Sequence, residues 1–237
     1  MDDDQGDGSP TMDGSPTRDG SPTMDERDRP CLVVVVGTHT EVGKTWVSAR
    51  LIEHLVARGQ RVEVRKPLQS FDPTDTGPTD AEVLALASGE RVADVCPPTG
   101  SFEVAMAPPM AAAALGRPVP TTRVLVDGLH WRSAPVRIVE TVGGVRSPMT
   151  GDGDSAEVVR ALQPDVVVLV ADAGLGVIDA VRSAVTNLEP HRPVVFLNRF
   201  DPTDALHIAN RDWLAKVDRL DPEVDVEQLG IRISRGR

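Results

Sequence analysis

The sequence predicts an α/β protein in which helices cover both faces of a mostly parallel, doubly wound sheet, giving three layers. Apolar segments at 33–36 and 165–172 are nearly continuous, as expected of strands that are buried on both faces. Segments with apolar residues at helical spacing follow them, so strands and helices alternate along the chain. Strands that alternate with helices are joined by right-handed crossovers, and these connections build a parallel sheet.

A phosphate-binding loop follows the first strand. Residues 37–45 read GTHTEVGKT and fit the pattern GxxxxGK[ST] in full, and a helical pattern comes directly after them. The backbone N–H groups of such a loop and of the following helix start point at an anion. The fold class is therefore that of a P-loop NTPase, a Rossmann-like architecture. Lys44 is expected on the β- and γ-phosphates and the Thr45 hydroxyl on Mg²⁺. The predicted nucleotide-binding residues of the loop are Gly37, Thr38, Glu41, Val42, Gly43, Lys44 and Thr45.

The remaining elements follow in order from apolar periodicity and from breakers such as Gly59 and Gly89. Later strands are predicted at 61–65, 136–140, 165–172 and 193–198. Later helices are predicted at 80–87, 110–115, 121–131, 155–162, 177–188 and 206–217. No element is predicted beyond Asp221.

Three regions are expected from composition. Residues 1–29 form an acidic tail with the hexad DGSPT[MR] three times over, too poor in apolar groups to order itself. Residues 30–220 form the catalytic domain, and 221–237 an uncertain C-terminal tail. Nine acids and two arginines in residues 1–28 account for −7 of the net charge of −11, leaving −4 for the remainder. This mildly acidic domain argues against nucleic-acid binding, which needs a basic surface.

The sequence also predicts the cellular setting. It has no run of 18 apolar residues, so no transmembrane helix and no membrane partner are expected. The acidic N-terminus is unlike a secretion signal. The two cysteines, Cys31 and Cys96, are far apart and in no metal-binding pattern, which favours a reduced, cytoplasmic protein.

Charged residues at strand and helix ends are the candidates for chemistry. Glu140 and Asp172 each end a predicted strand and compete as the magnesium ligand, and sequence spacing does not choose between them. Asp80 begins a helix and fits either a metal ligand or a helix-capping residue. Lys66 follows a strand and precedes Pro67, a position that suits a phosphate or carboxylate ligand as well as a solvated surface lysine.

Six segments together resemble the dethiobiotin synthetases, ATP-dependent carboxylases of the SIMIBI-type P-loop superfamily. In chain order they read GTHTEVGKT, KPLQS, PTDAEVLAL, ETVGG, GLGVID and LNR, and the resemblance covers residues 33–199. The resemblance implies that one amine of 7,8-diaminopelargonate captures CO₂ as a carbamate, which attacks the γ-phosphate of ATP. The second amine then closes a cyclic urea and expels phosphate. Cations and N–H dipoles should converge on the two anions that react.

The resemblance also implies site residues and assembly. Lys44 and Lys66 would neutralise charge, with Thr40 and Glu41 near phosphates and substrate, as catalytic residues. Mg²⁺ would be held by Thr45, Asp80 and Glu140. The substrate would meet Ser70, Gly143 and Gly176, the last across a homodimer interface. Asn198 would read adenine through its amide.

Departures from the family pattern leave alternatives open. Thr141 and Val142 replace small residues of an EGAGG loop, and Asp179 replaces an asparagine near the substrate carboxylate. A Gly-x-Ile/Leu-Pro segment near the nucleotide is not visible after Asn198. One alternative is therefore a related ligase for a different amine. Another is a partitioning-type ATPase switch, although the loop has Thr38 and His39 where those proteins carry an additional lysine.

Overall fold

The computed structural model describes residue 1 and residues 29–235. The predicted repeat tail at 1–29 thus lies, apart from its end residues, outside the described residues. The strands are β1 Cys31–Gly37, β2 Val62–Arg65, β3 Gln69–Ser70, β4 Ser101–Phe102, β5 Val136–Gly144, β6 Val166–Asp172 and β7 Val194–Asn198. The helices are α1 Lys44–Ala57, α2 Asp80–Ser88, α3 Val92–Val95, α4 Pro108–Ala114, α5 Thr122–Asp127, α6 Ser155–Leu162, α7 Val177–Leu188, α8 Ala205–Lys216 and α9 Val226–Arg235.

The main sheet has five parallel strands in the order β2-β5-β1-β6-β7. The central strand β1 pairs with β5 on one side and β6 on the other, so Val34 faces both Val139 and Val167. Strands β3 and β4 form a separate parallel pair. The predicted three-layer α/β class is confirmed, because helices pack on both faces of the sheet.

Each face of the sheet has its own apolar core. On one face Val33 and Val35 of β1 pack with Leu51 and Leu55 of α1, and α2 and α9 complete the layer. The other face packs against α6, α7 and the Leu214 side chain of α8. Each fully buried valine or leucine contributes about 1.5–3 kcal/mol of transfer free energy. The two faces together explain why β1 and β6 are apolar at nearly every position.

The predicted helix at 121–131 is too long. Helix α5 ends at Asp127 with Gly128 as its C-cap, and beyond it the His130 carbonyl accepts hydrogen bonds from the Arg65 guanidinium at 2.7 and 2.9 Å. The buried Glu63 carboxylate accepts hydrogen bonds from the N–H groups of Arg132, Ser133 and Ala134, at 2.7–2.8 Å. These contacts come from a strand about 70 residues away, so the local pattern did not reveal them.

Helix α9 is an element that the sequence interpretation did not predict. Leu229 and Ile233, four residues apart, are fully buried in the core beside α1. The Asp225 carboxylate accepts a hydrogen bond from the N–H of Glu227 at 2.6 Å and so caps the helix. These capping and spacing signals were present in the sequence, but Pro222 and three acidic residues around it masked them.

Candidate functional site

A buried lysine lies between two carboxylates at the C-terminal edge of the sheet. Lys66 Nζ is 2.7 Å from Glu140 Oε1 and 2.6 Å from Asp80 Oδ2. Lys66 is 2% exposed and Glu140 is fully buried, whereas the Asp80 side chain is partly open to solvent. Burial alone would depress the pKa of Lys66, but the two carboxylates outweigh it and raise that pKa. Lys66 is therefore held as a cation inside the protein and is not a solvated surface residue.

Strand order explains which carboxylate joins this cluster. Strand β5 lies between β2, which leads to Lys66, and β1, which leads to the phosphate loop. Glu140 of β5 therefore meets both Lys66 and Thr45, whose hydroxyl donates to Glu140 Oε1 at 2.7 Å. The competing carboxylate, Asp172, lies on the far side of β1 and is bonded to Arg199 and to the N–H of Gly174.

Oxygen ligands converge at this point. Thr79, not Asp80, caps helix α2, in a capping box with Glu82. This leaves the Asp80 carboxylate available to Lys66. Glu140 Oε2 is buried and has no hydrogen-bond partner among the described residues. A hydroxyl and two carboxylates, one with an unpartnered buried oxygen, form a donor set that suits Mg²⁺.

The phosphate loop is shaped by close backbone contacts. Gly43 adopts φ +90°, and a Cβ there would lie 2.1 Å from Asn198 Nδ2, so only glycine fits. Asn198 Nδ2 donates to the Val42 carbonyl at 2.8 Å. The Asn198 amide therefore has one N–H committed to the loop and keeps its oxygen and second N–H for a ligand.

Lys44 begins α1 and is almost completely buried. Its Nζ donates to the Gly143 carbonyl at 2.9 Å. Burial lowers the pKa of Lys44 to about 8, and the positive charge of Lys66 acts in the same direction. A bound triphosphate would replace this neutral contact with a strong anionic one and favour the charged lysine.

The affinity for Mg-ATP is therefore expected to fall as the pH rises past about 8, where Lys44 of the free protein loses its proton. The complex holds that proton more tightly, so each further pH unit should weaken binding by up to about tenfold. Calorimetric titration between pH 7 and 9.5 measures this, and Lys44→Met should remove the dependence. A pH-independent dissociation constant for the wild type would contradict the expectation.

The predicted substrate residues Ser70, Gly143 and Gly176 lie in three different parts of the fold. The Ser70 hydroxyl, at the end of β3, donates to the Met106 carbonyl. Gly143 has φ +56°, and a Cβ there would lie 2.3 Å from Ser147 Oγ and 3.6 Å from Thr40 Oγ1, next to the loop. Gly176 precedes α7 with φ +90°. Gly143 is thereby brought to Lys44 and Thr40, whereas Gly176 belongs to the turn after β6.

Thr141 and Val142 do not place bulk at the site as the sequence interpretation supposed. The Thr141 hydroxyl is buried and donates to the Val35 carbonyl at 3.2 Å. Val142 is 8% exposed and packs into an apolar cluster with Leu68 and Phe102. Their extra volume is therefore used in the core.

A second pocket lies beside Asn198 and was missed by the sequence interpretation. It has a volume of about 490 Å³ and includes the aromatic side chains Trp46 and Phe200 together with Val224 and Asp225. Residues 222–225 complete it by pairing with the edge of β7, since Glu223 exchanges backbone hydrogen bonds of 2.9 Å with Val195 and Leu197. The tryptophan at position 46, directly after the phosphate loop, is the sequence signal that could have revealed this pocket, and it is 51% exposed in the structure.

A larger cavity, about 740 Å³, lies elsewhere. It is lined by α5, the residues around Trp131 and the prolines 67, 97, 118 and 120. Among its lining residues none is a predicted site residue, so size alone does not identify the functional site here.

A parallel sheet with a complete phosphate loop after its central strand, and a lysine–carboxylate cluster beside it, defines a P-loop nucleotide-binding enzyme. The AAA domain family matches residues 32–212. The chain is 39% identical over 177 residues to the ATP-dependent dethiobiotin synthetase BioD of Anaeromyxobacter dehalogenans (strain 2CP-C), covering 72% of this chain and 77% of that protein. It is 35% identical over 159 residues to the enzyme of that name from Caulobacter sp. (strain K31), covering 65% and 68%. The chain belongs to the dethiobiotin synthetase family and is a ligase of that family.

Solved structures give a more distant likeness. The signal recognition particle receptor FtsY from Elizabethkingia anophelis matches with 17% identity and a TM-score of 0.47, over 88% of this chain and 65% of that one. Within the part of the chain that the structure describes, no helix is long and apolar enough to cross a membrane.

Proposed function

We propose that this enzyme carries out the ATP- and Mg²⁺-dependent conversion of 7,8-diaminopelargonate and CO₂ to dethiobiotin, a step of biotin biosynthesis. One amine adds to CO₂ and loses a proton, giving a carbamate. A carbamate oxygen then attacks the γ-phosphorus, ADP leaves, and a carbamic–phosphoric anhydride forms. The second amine attacks its carbonyl carbon, and phosphate leaves as the ring closes. The observation that carries the proposal is the buried Lys66, held as a cation beside the phosphate loop.

The cationic groups suit a reaction between two anions. Lys44 and Lys66 would offset the charge of the γ-phosphate and the carbamate, which otherwise repel each other. Their mutual repulsion is reduced by Glu140, which is 2.7 Å from Lys66. Thr40 and Glu41 in the loop would lie against the phosphates and substrate, and Ser70 and Gly143 against the amines.

Thr45, Asp80 and Glu140 would hold Mg²⁺, and the unpartnered Glu140 Oε2 supports this assignment. Bound magnesium supplies positive charge to the phosphates. Asn198 would read adenine with its oxygen and free N–H. The proposal includes a homodimer in which the turn at Gly176 meets the substrate bound to a second copy. We place the enzyme in the cytoplasm.

The test supplies Mg-ATP, ¹⁴C-bicarbonate and diaminopelargonate to the full-length protein and follows label into a urea. We expect acid-stable label in a cyclic urea, with one ADP formed for each ring that is closed. ATP-dependent turnover with no label in product would overturn the proposal. Omitting ATP, which stops the reaction at the acid-labile carbamate, is the matched control.

Asp179 favours a second candidate, the same chemistry on a different amine. It is exposed in the first turn of α7. Its negative charge cancels part of the positive end of the helix dipole and would repel a substrate carboxylate. Asp179→Asn is expected to lower the KM for diaminopelargonate about two- to fivefold. An unchanged KM would remove the support for the second candidate. The matched control is Asp218→Asn, which removes a carboxylate paired with Arg182 of α7 and leaves the first turn of α7 unchanged.

A further inference from the structure

Arg199 connects three parts of the nucleotide-binding edge. It follows Asn198 directly at the end of β7 and adopts a left-handed backbone, φ +56°. Its Nη1 lies 2.7 Å from Asp172 Oδ2, and its Nη2 donates to the Glu41 carbonyl of the phosphate loop at 3.0 Å. A single planar guanidinium therefore binds a loop carbonyl and a strand-end carboxylate together.

Two consecutive loop carbonyls are held in this way. Arg199 binds the carbonyl of Glu41, and Asn198 binds that of Val42. In a trans peptide the C=O and the next N–H point in opposite directions. Holding these two carbonyls toward β7 thus aims the N–H groups of Val42 and Gly43 the other way, toward the anion site.

The loop conformation requires such a restraint. Glu41 has φ +64°, in the left-handed region that is unfavourable for a residue with a side chain. In the described residues its carbonyl is held by the Arg199 hydrogen bond. Losing that bond would let the peptide rotate and misalign the loop N–H groups.

Asp172 extends the connection to the next turn. Its second oxygen, Oδ1, accepts a hydrogen bond from the N–H of Gly174 at 3.0 Å. Burial alone would raise the pKa of Asp172, but the hydrogen bond from Arg199 and the one from Gly174 hold that pKa below its usual range. The carboxylate therefore stays ionised at neutral pH and keeps Arg199 in place.

We propose that Arg199 is a positioning residue that, together with Asp172, orients the phosphate-binding N–H groups of the loop. Its effect is on the triphosphate and does not depend on the base, although Arg199 also lies at the rim of the pocket beside Asn198. Lysine cannot replace it, because one ammonium on a flexible stem does not span both acceptors in a fixed fork. The inference rests on nucleotide binding by the loop and is independent of which amine the enzyme carboxylates.

The test measures dissociation constants of Mg-ATP and of Mg-tripolyphosphate, which has no base or ribose, by calorimetry. Arg199→Ala is expected to weaken both by about tenfold, the effect of one hydrogen bond to a charged group. Arg199→Lys should recover only part of the loss. Asp172→Asn should weaken both ligands less, and the double variant should lose less than the sum of the single losses. Arg182→Ala, which removes a similar surface pair with Asp218, should change neither constant.

A loss for Mg-ATP with unchanged Mg-tripolyphosphate binding would overturn the proposal, because Arg199 would then act on the base or ribose. Full recovery in Arg199→Lys would overturn it as well. If Arg199→Ala does not fold, the same two dissociation constants are measured for Asp172→Asn. Weaker binding of both ligands then supports the proposal, and weaker binding of Mg-ATP alone overturns it. Because these binding measurements contain no amine substrate, their outcome does not depend on the outcome of the labelled-bicarbonate experiment.

Discussion

Replacing Lys66 by methionine is expected to lower the rate of product formation at least about 10²–10³-fold. The Lys66 ammonium is 2% exposed and lies 2.7 Å from Glu140 Oε1, where it supplies the counter-charge to that buried carboxylate. The change should also lower the free energy of unfolding by about 3–5 kcal/mol, because it leaves a buried carboxylate without its counter-charge. Labelled-product assays and thermal unfolding measure the two effects. Added Mg²⁺ should restore part of the stability, since a cation can occupy the same carboxylates.

Lys216→Met is the matched control, because Lys216 is an exposed lysine in a surface pair with Asp212. It should leave turnover and stability within experimental error. A Lys66→Met enzyme with wild-type turnover would contradict the assigned role.

Replacing Glu140 by glutamine is expected to reduce turnover by about 10²–10³-fold and to raise the Mg²⁺ concentration needed for half-maximal activity. The change keeps the size of the side chain but removes the charge that Thr45 and Lys66 both contact. Lys66 retains Asp80 as a partner, so the loss of stability should be smaller than in Lys66→Met. Magnesium titration of the steady-state rate measures the effect.

The control for Glu140→Gln is Glu53→Gln, which removes an exposed carboxylate on the outer side of α1. An unchanged magnesium response in Glu140→Gln would show that the metal, if bound, uses other ligands.

The sequence predicted the parts of the fold that depend on local pattern. The strands β1 and β6 are nearly continuous apolar runs rich in valine, and the loop 37–45 is contiguous, so their prediction needs no information from elsewhere in the chain. The predicted length of α5 was wrong because Gly128 caps the helix, and distant strand residues, Arg65 and Glu63, hold the backbone of residues 130–134 outside it.

The site needed the strand order as well. Glu140 and Asp172 look alike in sequence, and they differ because β5 lies between β1 and β2 whereas β6 lies on the other side of β1. Val142 illustrates the same limit. Its side chain enters a core built by Leu68 and Phe102, which no local pattern reveals. The placement of residues can therefore be predicted from a motif within a contiguous loop, whereas elsewhere it depends on the strand order.

The pairing of residues 222–225 with β7 has a consequence for biosynthesis of the chain. The phosphate loop is synthesised early, together with the strand that carries it, whereas Val224 and Asp225 emerge from the ribosome much later. Val224 and Asp225 thus complete the pocket beside Asn198 only after the loop, Asn198 and Arg199 have all been synthesised. In the proposed function this pocket receives the adenine that Asn198 would read, and it is complete only when the late segment docks on β7.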